Sequence, residues 1–487
     1  MRISMKDGRS AVRLAVAVLA VGTEALAAGA GGARLIQAVR NGDVAQARQL
    51  IQRKADVNER QPDGSTALHW AVNAEDARMT TLLLAAGAKV DVANEYGVAP
   101  LSIAVTGRSA EIVDLLLGAG ASPNTALPTG ETALMSAART GLSGAVRSLL
   151  ARGADPNAKE SVMGQTALMW AITEGHEAAA RLLMEGGADI HARTKGGFTP
   201  FLFAVREGRG DLARLLLERG ADVNETAKDG SSALHVAVVR GHLALARELL
   251  GRGADPNAAK NGYTVLHWVA GTWETIHSHD YIFNQAAVNR VQEWAVLAGV
   301  TDLAVKHDLI LALLSRGADI NARTTKTPPK FGFSLFKFNL TVGATPFYLA
   351  SVVSDIPTMR LLLEHGADPT LAAADGTTPL IVAAGLARVP NETRVPETRV
   401  LEAVKLLLTL KNDIAASNRS GTTPLHAAAM AGLDHVARYL VEQGAPINAK
   451  NKNGETPYKM ATGYEDSALF HEHPSTAAVL KSLGGTE

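Results

Sequence analysis

The 487-residue chain contains no cysteine, so disulfides, thiolate nucleophiles and cysteine-ligated zinc are all excluded. Charge of one sign is lacking too, because 48 Lys and Arg stand against 48 Asp and Glu. Without a basic surplus to neutralise a phosphate backbone, nucleic acid is not an expected partner. No long apolar run follows residue 21, so no membrane span is expected. The G-x-S-x-G elbow, the phosphate-cradling G-x-x-x-x-G-K and H-E-x-x-H are missing as well. On those absences no catalytic residue and no cofactor is assigned.

What is present is repetition. The stretch from Asp229 to Asn261 reads DGSSALHVAVVRGHLALARELLGRGADPNAAKN. Ser232 is placed to cap a short helix, and Gly241 to end it in the left-handed conformation. Leu245, Ala246, Leu249 and Leu250 then fall on one face of a second helix, which Gly253 closes. Glycines at equivalent places recur at 64, 97, 130, 164, 197, 230 and 262, then again at 343, 376, 421 and 454. Intervals of 32 to 34 residues separate the first seven. A helix pair this short cannot bury its apolar stripe alone and needs a like neighbour on each side.

The segments TALHWA (66–71), TALMSA (132–137), TALMWA (166–171), TPFLFA (199–204), SALHVA (232–237), TPFYLA (345–350) and TPLHAAA (423–429) carry a family resemblance. They resemble the T-P-L-H-x-A signature of the ankyrin repeat. The resemblance spans residues 33–465 and implies an all-α repeat solenoid of about 11–12 units, each a helix-turn-helix with a β-hairpin finger. It also implies that His69, His235, His267 and His426 tie neighbouring turns together, and that Trp70, Trp170 and Trp268 pack inward. Residues 33–58, lacking the signature, read as a polar capping repeat, and 466–487 as a C-terminal cap.

Residues 1–27 stand outside this array. Arg2, Lys6, Arg9 and Arg13 precede an apolar run, Leu14 to Val21, and Ala25-Leu26-Ala27 offers a small-residue cleavage site. These are the three parts of a signal peptide. A periplasmic or secreted bacterial protein is therefore expected, with the remainder slightly acidic.

Three insertions break the register, at about 271–302, 324–340 and 384–400. The first holds Trp273, His277, His279, Asp280, Tyr281 and Phe283, followed by an amphipathic pattern over Gln285–Leu297. The second places Phe331, Phe333, Phe336 and Phe338 within eight positions, as a strand pair with one apolar face would. These rings serve either as a binding finger or as a small core bracing the insertions. His277, His279 and Asp280 are weak metal candidates, as are His471 and His473, because further ligands at defined spacing are missing. The third insertion is polar and carries no assigned chemistry.

The resemblance leaves hairpin tips and the ends of the first helices free for partners. Candidates are Tyr96, Met163, Lys228, Lys260 and Tyr263 at the tips, and Arg139, Glu174, Arg206, Glu207 and Arg240 at the helix ends. The expected function is a non-catalytic protein–protein interaction scaffold, monomeric, using its concave face and the aromatic insertions. A metal-dependent or other enzymatic activity housed in 271–340 is the alternative, and an effector acting on a host protein is a third. The leader yields the first prediction: chain exported by a bacterial host begins within a few residues of Ala28 by mass spectrometry. Recovery of intact Met1 outside the cytoplasm refutes it.

Overall fold

A computed structural model describes residues 31–271, 300, 302–326, 342–386, 395–463 and 472–487. These form 24 α-helices in two compact units, 1–222 and 223–487, with six helix pairs in each. We number the pairs 1–12 in chain order, beginning with Gly32–Arg40 and Val44–Gln52. No helix of the described residues is long and apolar enough to cross a membrane.

Each pair is specified locally. In most pairs an extended Ser or Thr precedes the first helix, and in several its hydroxyl accepts the backbone N–H three residues on, as Ser232 does from His235 at 3.3 Å. Proline at the first helical position, as in Pro100, Pro200, Pro346 and Pro424, costs no hydrogen bond there. A left-handed residue ends most first helices: Gly141, Gly175 and Gly241 have φ of 71°, 79° and 75°. Second helices span nine residues in most repeats, and several start on a carboxylate cap such as Asp76, which accepts from Met79. Helices of seven to nine residues are marginal alone. Burial of Leu245, Ala246, Leu249 and Leu250 at 8% exposure or less is what holds the pair Ala233–Val239 and Leu243–Gly251.

Neighbouring repeats are joined by two recurring side-chain bridges. In the first, an asparagine amide reaches into the loop of the next repeat. Asn58 donates to Gly87 O at 3.1 Å and accepts from Lys89 N at 2.8 Å. Asn124 and Asn157 do the same in the first unit, and Asn224, Asn257, Asn321 and Asn448 in the second. The second bridge is the signature histidine. His235 Nδ1 meets Ser232 Oγ at 2.8 Å while Nε2 donates to Tyr263 O at 2.9 Å, and His69, His267 and His426 repeat the arrangement.

The insertions leave this seam intact. Asn257 donates to Gly317 O and accepts from Asp319 N across a 60-residue separation, twice the usual span. The first insertion therefore falls, in the chain, between two helices, Val265–Ala270 and Leu303–Ser315. There Gly271 is extended (φ −78°, ψ 154°) instead of left-handed, and the second helix gains a turn to reach 13 residues. Its Lys306 is 3% exposed and pairs with Asp355 at 2.8 Å, pinning pair 8 to pair 9. The second insertion is flanked by the two arms of a finger. Thr324 bonds Gly343 and Ala344 through backbone at 2.8 and 3.0 Å, as Asn94 bonds Gly97 and Val98 elsewhere.

One expectation needs correction. Among the described residues the fingers form no β-ladders; only two isolated bridges occur, Ala126–Thr132 and Thr226–Ser232. Each finger arm is two or three residues long, which a turn bond such as Asn94 N to Val98 O satisfies without a ladder. The third insertion, 384–400, is described only at its two ends. Val382–Leu386 continue the first helix as a π segment around Gly385 (φ 124°), and the next helix starts at Glu397. The expected helix over 285–297 and the strand pair over 331–338 lie outside the described residues.

This burial predicts that Leu249→Ala lowers stability by about 2–5 kcal/mol in denaturant melts. Arg240→Ala, at a half-buried helix end, should change it by about 0.5 kcal/mol or less. Equal effects would show that the two repeat faces are wrongly assigned.

Candidate partner-binding surface

The finger tips of the first unit are fixed before any partner arrives. Backbone bonds run from tip to tip: Glu95 N to Asp63 O, Ser161 N to Thr129 O and Lys195 N to Met163 O, at 2.8–2.9 Å. Two tips also carry a buried acceptor beneath them. Asn94 Oδ1 accepts from Tyr96 N and Val98 N at 3.1 and 2.9 Å. The Glu160 carboxylate, 6% exposed, accepts from the backbone of Val162, Met163 and Gln165 at 2.6–3.0 Å. With the main chain spent this way, Tyr96, Val162 and Met163 stand 45%, 57% and 39% exposed.

At the ends of the first helices, arginines lie over rings. Arg40 covers Trp70 at 4.5 Å, Arg139 covers Trp170 at 4.7 Å, and Arg206 covers Phe203 at 4.5 Å. Arg139 also pairs with Glu131, and Arg206 with Glu207, at 2.8 and 2.7 Å. Such stacking holds the guanidinium plane in place. Glu174 is exposed and Arg240 half-buried.

Tyr263 is not a surface residue, contrary to expectation. It is 4% exposed, meets the His235 ring edge-on at 5.4 Å and stacks with Trp268 at 6.3 Å. A residue just after the left-handed tip glycine turns back beneath the finger, as Val98 and Phe198 do at 3% and 1% exposure. Burial, then the nearby Asp229, push its phenol upward in pKa. Trp70 and Trp268 pack inward, but Trp170 is only half-buried. Trp70 Nε1 donates to Gln61 at 2.7 Å. Ser161, equally far before Trp170, gives its hydroxyl to Thr129 O instead, and Trp170 Nε1 has no partner among the described residues.

The histidines are rungs. Burial lowers His69, His235 and His267 to about 4, against smaller opposing contributions from their carbonyl acceptors. His473 donates to Met430 O at 3.0 Å, and His176 does likewise to Arg139 O, so His473 is engaged in joining repeats. The described residues contain no group of three potential ligands that could hold a metal. His277, His279, Asp280, Trp273, Tyr281, Phe283, Phe331, Phe333, Phe336, Phe338 and His471 lie outside the described residues.

A family model described as ankyrin repeats in three copies matches residues 35–127, 111–194, 134–227, 201–290 and 397–470, well over half of the chain. The chain belongs to the ankyrin-repeat family. Human ankyrin repeat and SOCS box protein 16 is 39% identical over 233 residues, covering 38% of this chain and 50% of that protein. The putative ankyrin repeat protein FPV230 of fowlpox virus is 26% identical over 175 residues, covering 36% of this chain and 78% of its own. Alpha-latroinsectotoxin-Lt1a of Latrodectus tredecimguttatus is 32% identical over 149 residues, 29% of this chain but 10% of the toxin. The chain therefore spans a tenth of the toxin and half of the human relative. The solved ankyrin repeat domain of Bcl-3 is 35% identical with a TM-score of 0.39, covering 42% of this chain and 93% of that one. These relatives are eukaryotic and viral, so they carry the ankyrin family and not the bacterial, secreted type. Ankyrin repeats indicate a protein–protein interaction scaffold.

The rungs give a pH prediction with a definite sign. An imidazole lowered on folding binds its proton more readily in the unfolded chain, so stability is full above pH 6.5 and falls as pH drops toward 4. Each of the three rungs should lose about 2–3 kcal/mol across that window. His235→Asn should flatten the pH dependence of the melting temperature between pH 7 and 4; an unchanged slope would show that His235 does not titrate there.

Proposed function

We propose that this chain is a non-catalytic scaffold that captures a protein partner on the finger tips and first-helix ends of its first unit. The observation that carries this reading is the pair of tips at Tyr96 and Val162-Met163. Apolar side chains are exposed there on backbone locked by the buried Asn94 and Glu160. An exposed apolar group on a rigid support loses little entropy on binding, which is how a few residues come to dominate an interface. Arg139 and Arg206, held over their rings, supply directional donors beside these tips. The aromatic insertions within 271–340 serve as a separate contact for a partner. The N-terminal leader supports export, and we place the protein in a bacterial envelope or secreted fraction, acting there as a monomer.

Affinity capture from the native envelope by the full mature chain tests this. A chain carrying Tyr96→Ala, Val162→Ser and Met163→Ser should keep its melting temperature and lose the captured partner by about tenfold or more. Capture undiminished by these changes would refute the proposed surface.

A further inference from the structure

Beyond the apolar tips of the first unit, we propose that the second unit presents a lysine row, Lys228, Lys260 and Lys326, that binds an extended acidic protein segment. This rests on the scaffold reading but uses different residues. The three lysines occupy consecutive finger tips and all are exposed. Their closeness follows from the tip glycines. A Cβ on Gly230 would lie 2.6 Å from Lys260 C, and one on Gly262 would lie 2.5 Å from Lys326 Cβ. Lys260 and Lys326 thus rise directly over the glycine of the preceding tip. Both glycines are left-handed, with φ of 90° and 103°, so neither the space nor the backbone admits another residue. Thr325 N bonds Gly262 O at 2.8 Å, tying the second tip to the third.

The ammonium groups of this row are unpaired among the described residues. Asp229, beside Lys228, is committed to Ser231, accepting from its N and Oγ at 2.9 and 3.0 Å. None of the three lysines forms an ion pair or side-chain hydrogen bond with another described residue. The next tip carries Asp375, which is committed to Thr377 in the same way. A phosphate backbone running along the fingers would meet that carboxylate and Asp229, while a peptide can place its acids only where the lysines are. An ammonium takes carboxylates as a point charge without fixed geometry. Packed repeats lie about 10 Å apart and an extended chain rises about 3.3 Å per residue. The matching segment therefore carries an acid at every third residue.

The test uses the full chain and fluorescein-labelled peptides, followed by fluorescence polarisation. One peptide repeats Glu-Ser-Ser; a second has the same composition with its glutamates in a block; the third probe is oligo-dT of equal charge. The periodic peptide should bind best and weaken steeply with salt. The combined Lys228→Gln, Lys260→Gln and Lys326→Gln chain should bind it about tenfold less tightly at unchanged melting temperature. The Tyr96, Val162 and Met163 variant should bind it normally, so loss of native capture in that variant reports on the other surface alone. Equal binding of the blocked peptide, tighter binding of oligo-dT, or affinity unchanged in the glutamine variant would each overturn the proposal. A folded chain that binds no acidic peptide would overturn it too, leaving the scaffold reading untouched.

Discussion

Everything in this molecule depends on one constraint: a pair of helices of seven and nine residues has no interior of its own. Its apolar stripe is buried only when the next pair arrives in register. Packing alone is a forgiving guide to register, since alanine and leucine faces fit one another in several ways. The asparagine and histidine bridges are not forgiving. Each asks for particular backbone groups in the following repeat, and a shift of one residue would leave the buried imidazole N–H of His69, His235 or His267 unpaired at a cost of about 1–3 kcal/mol each. Nonpolar burial thus supplies the driving force in each unit, and the polar seam selects one alignment.

That division of labour decides where the chain tolerates extra length. The bridges run from a post-helical asparagine to the next second-helix loop, and from the signature histidine to the base of the next finger. Two places lie outside this seam: the turn between the helices of a pair, and the tip of a finger. Both large insertions fall there, one after Ala270 and one after Thr324. Closing a loop costs only slowly more with length, so each departure is cheap provided its two stems are held. Thr324 with Ala344 holds one stem, and the buried Lys306–Asp355 pair stands at the foot of the other.

Much of this was legible in the sequence because repetition multiplies weak signals. A single Thr or Gly says little, but eleven in register fix caps, turns and the buried face of each helix. The same averaging explains the failures. Gly262 marks a tip and so suggests exposure for Tyr263, yet the left-handed conformation of that glycine turns the next side chain inward, as Val98 and Phe198 also show. Trp170 shares its register place with Trp70, but its environment depends on a finger residue nine positions earlier, glutamine in one case and serine in the other. Glu160 beneath its tip was missed altogether: a lone glutamate in a loop gives no sign that it will accept three backbone bonds. The asparagine seam was readable, for Asn124, Asn157, Asn224, Asn257 and Asn321 each follow a loop glycine by four residues, and Asn58 follows the left-handed Lys54 by the same step. Its meaning required seeing that the acceptors belong to the next repeat.

The asparagine bridge has a further consequence, for how such a chain changes over time. Asn58 and its counterparts recognise carbonyl and amide groups of the following repeat and none of its side chains. Through this bridge a repeat places no demand on which residues its successor displays, only on the path of its main chain. Segments of about 33 residues are in that respect interchangeable parts: one can be duplicated, deleted or recombined into a new order, and the join is made again by the same two hydrogen bonds. Displayed chemistry can then be reshuffled along the array without any new solution to the problem of folding.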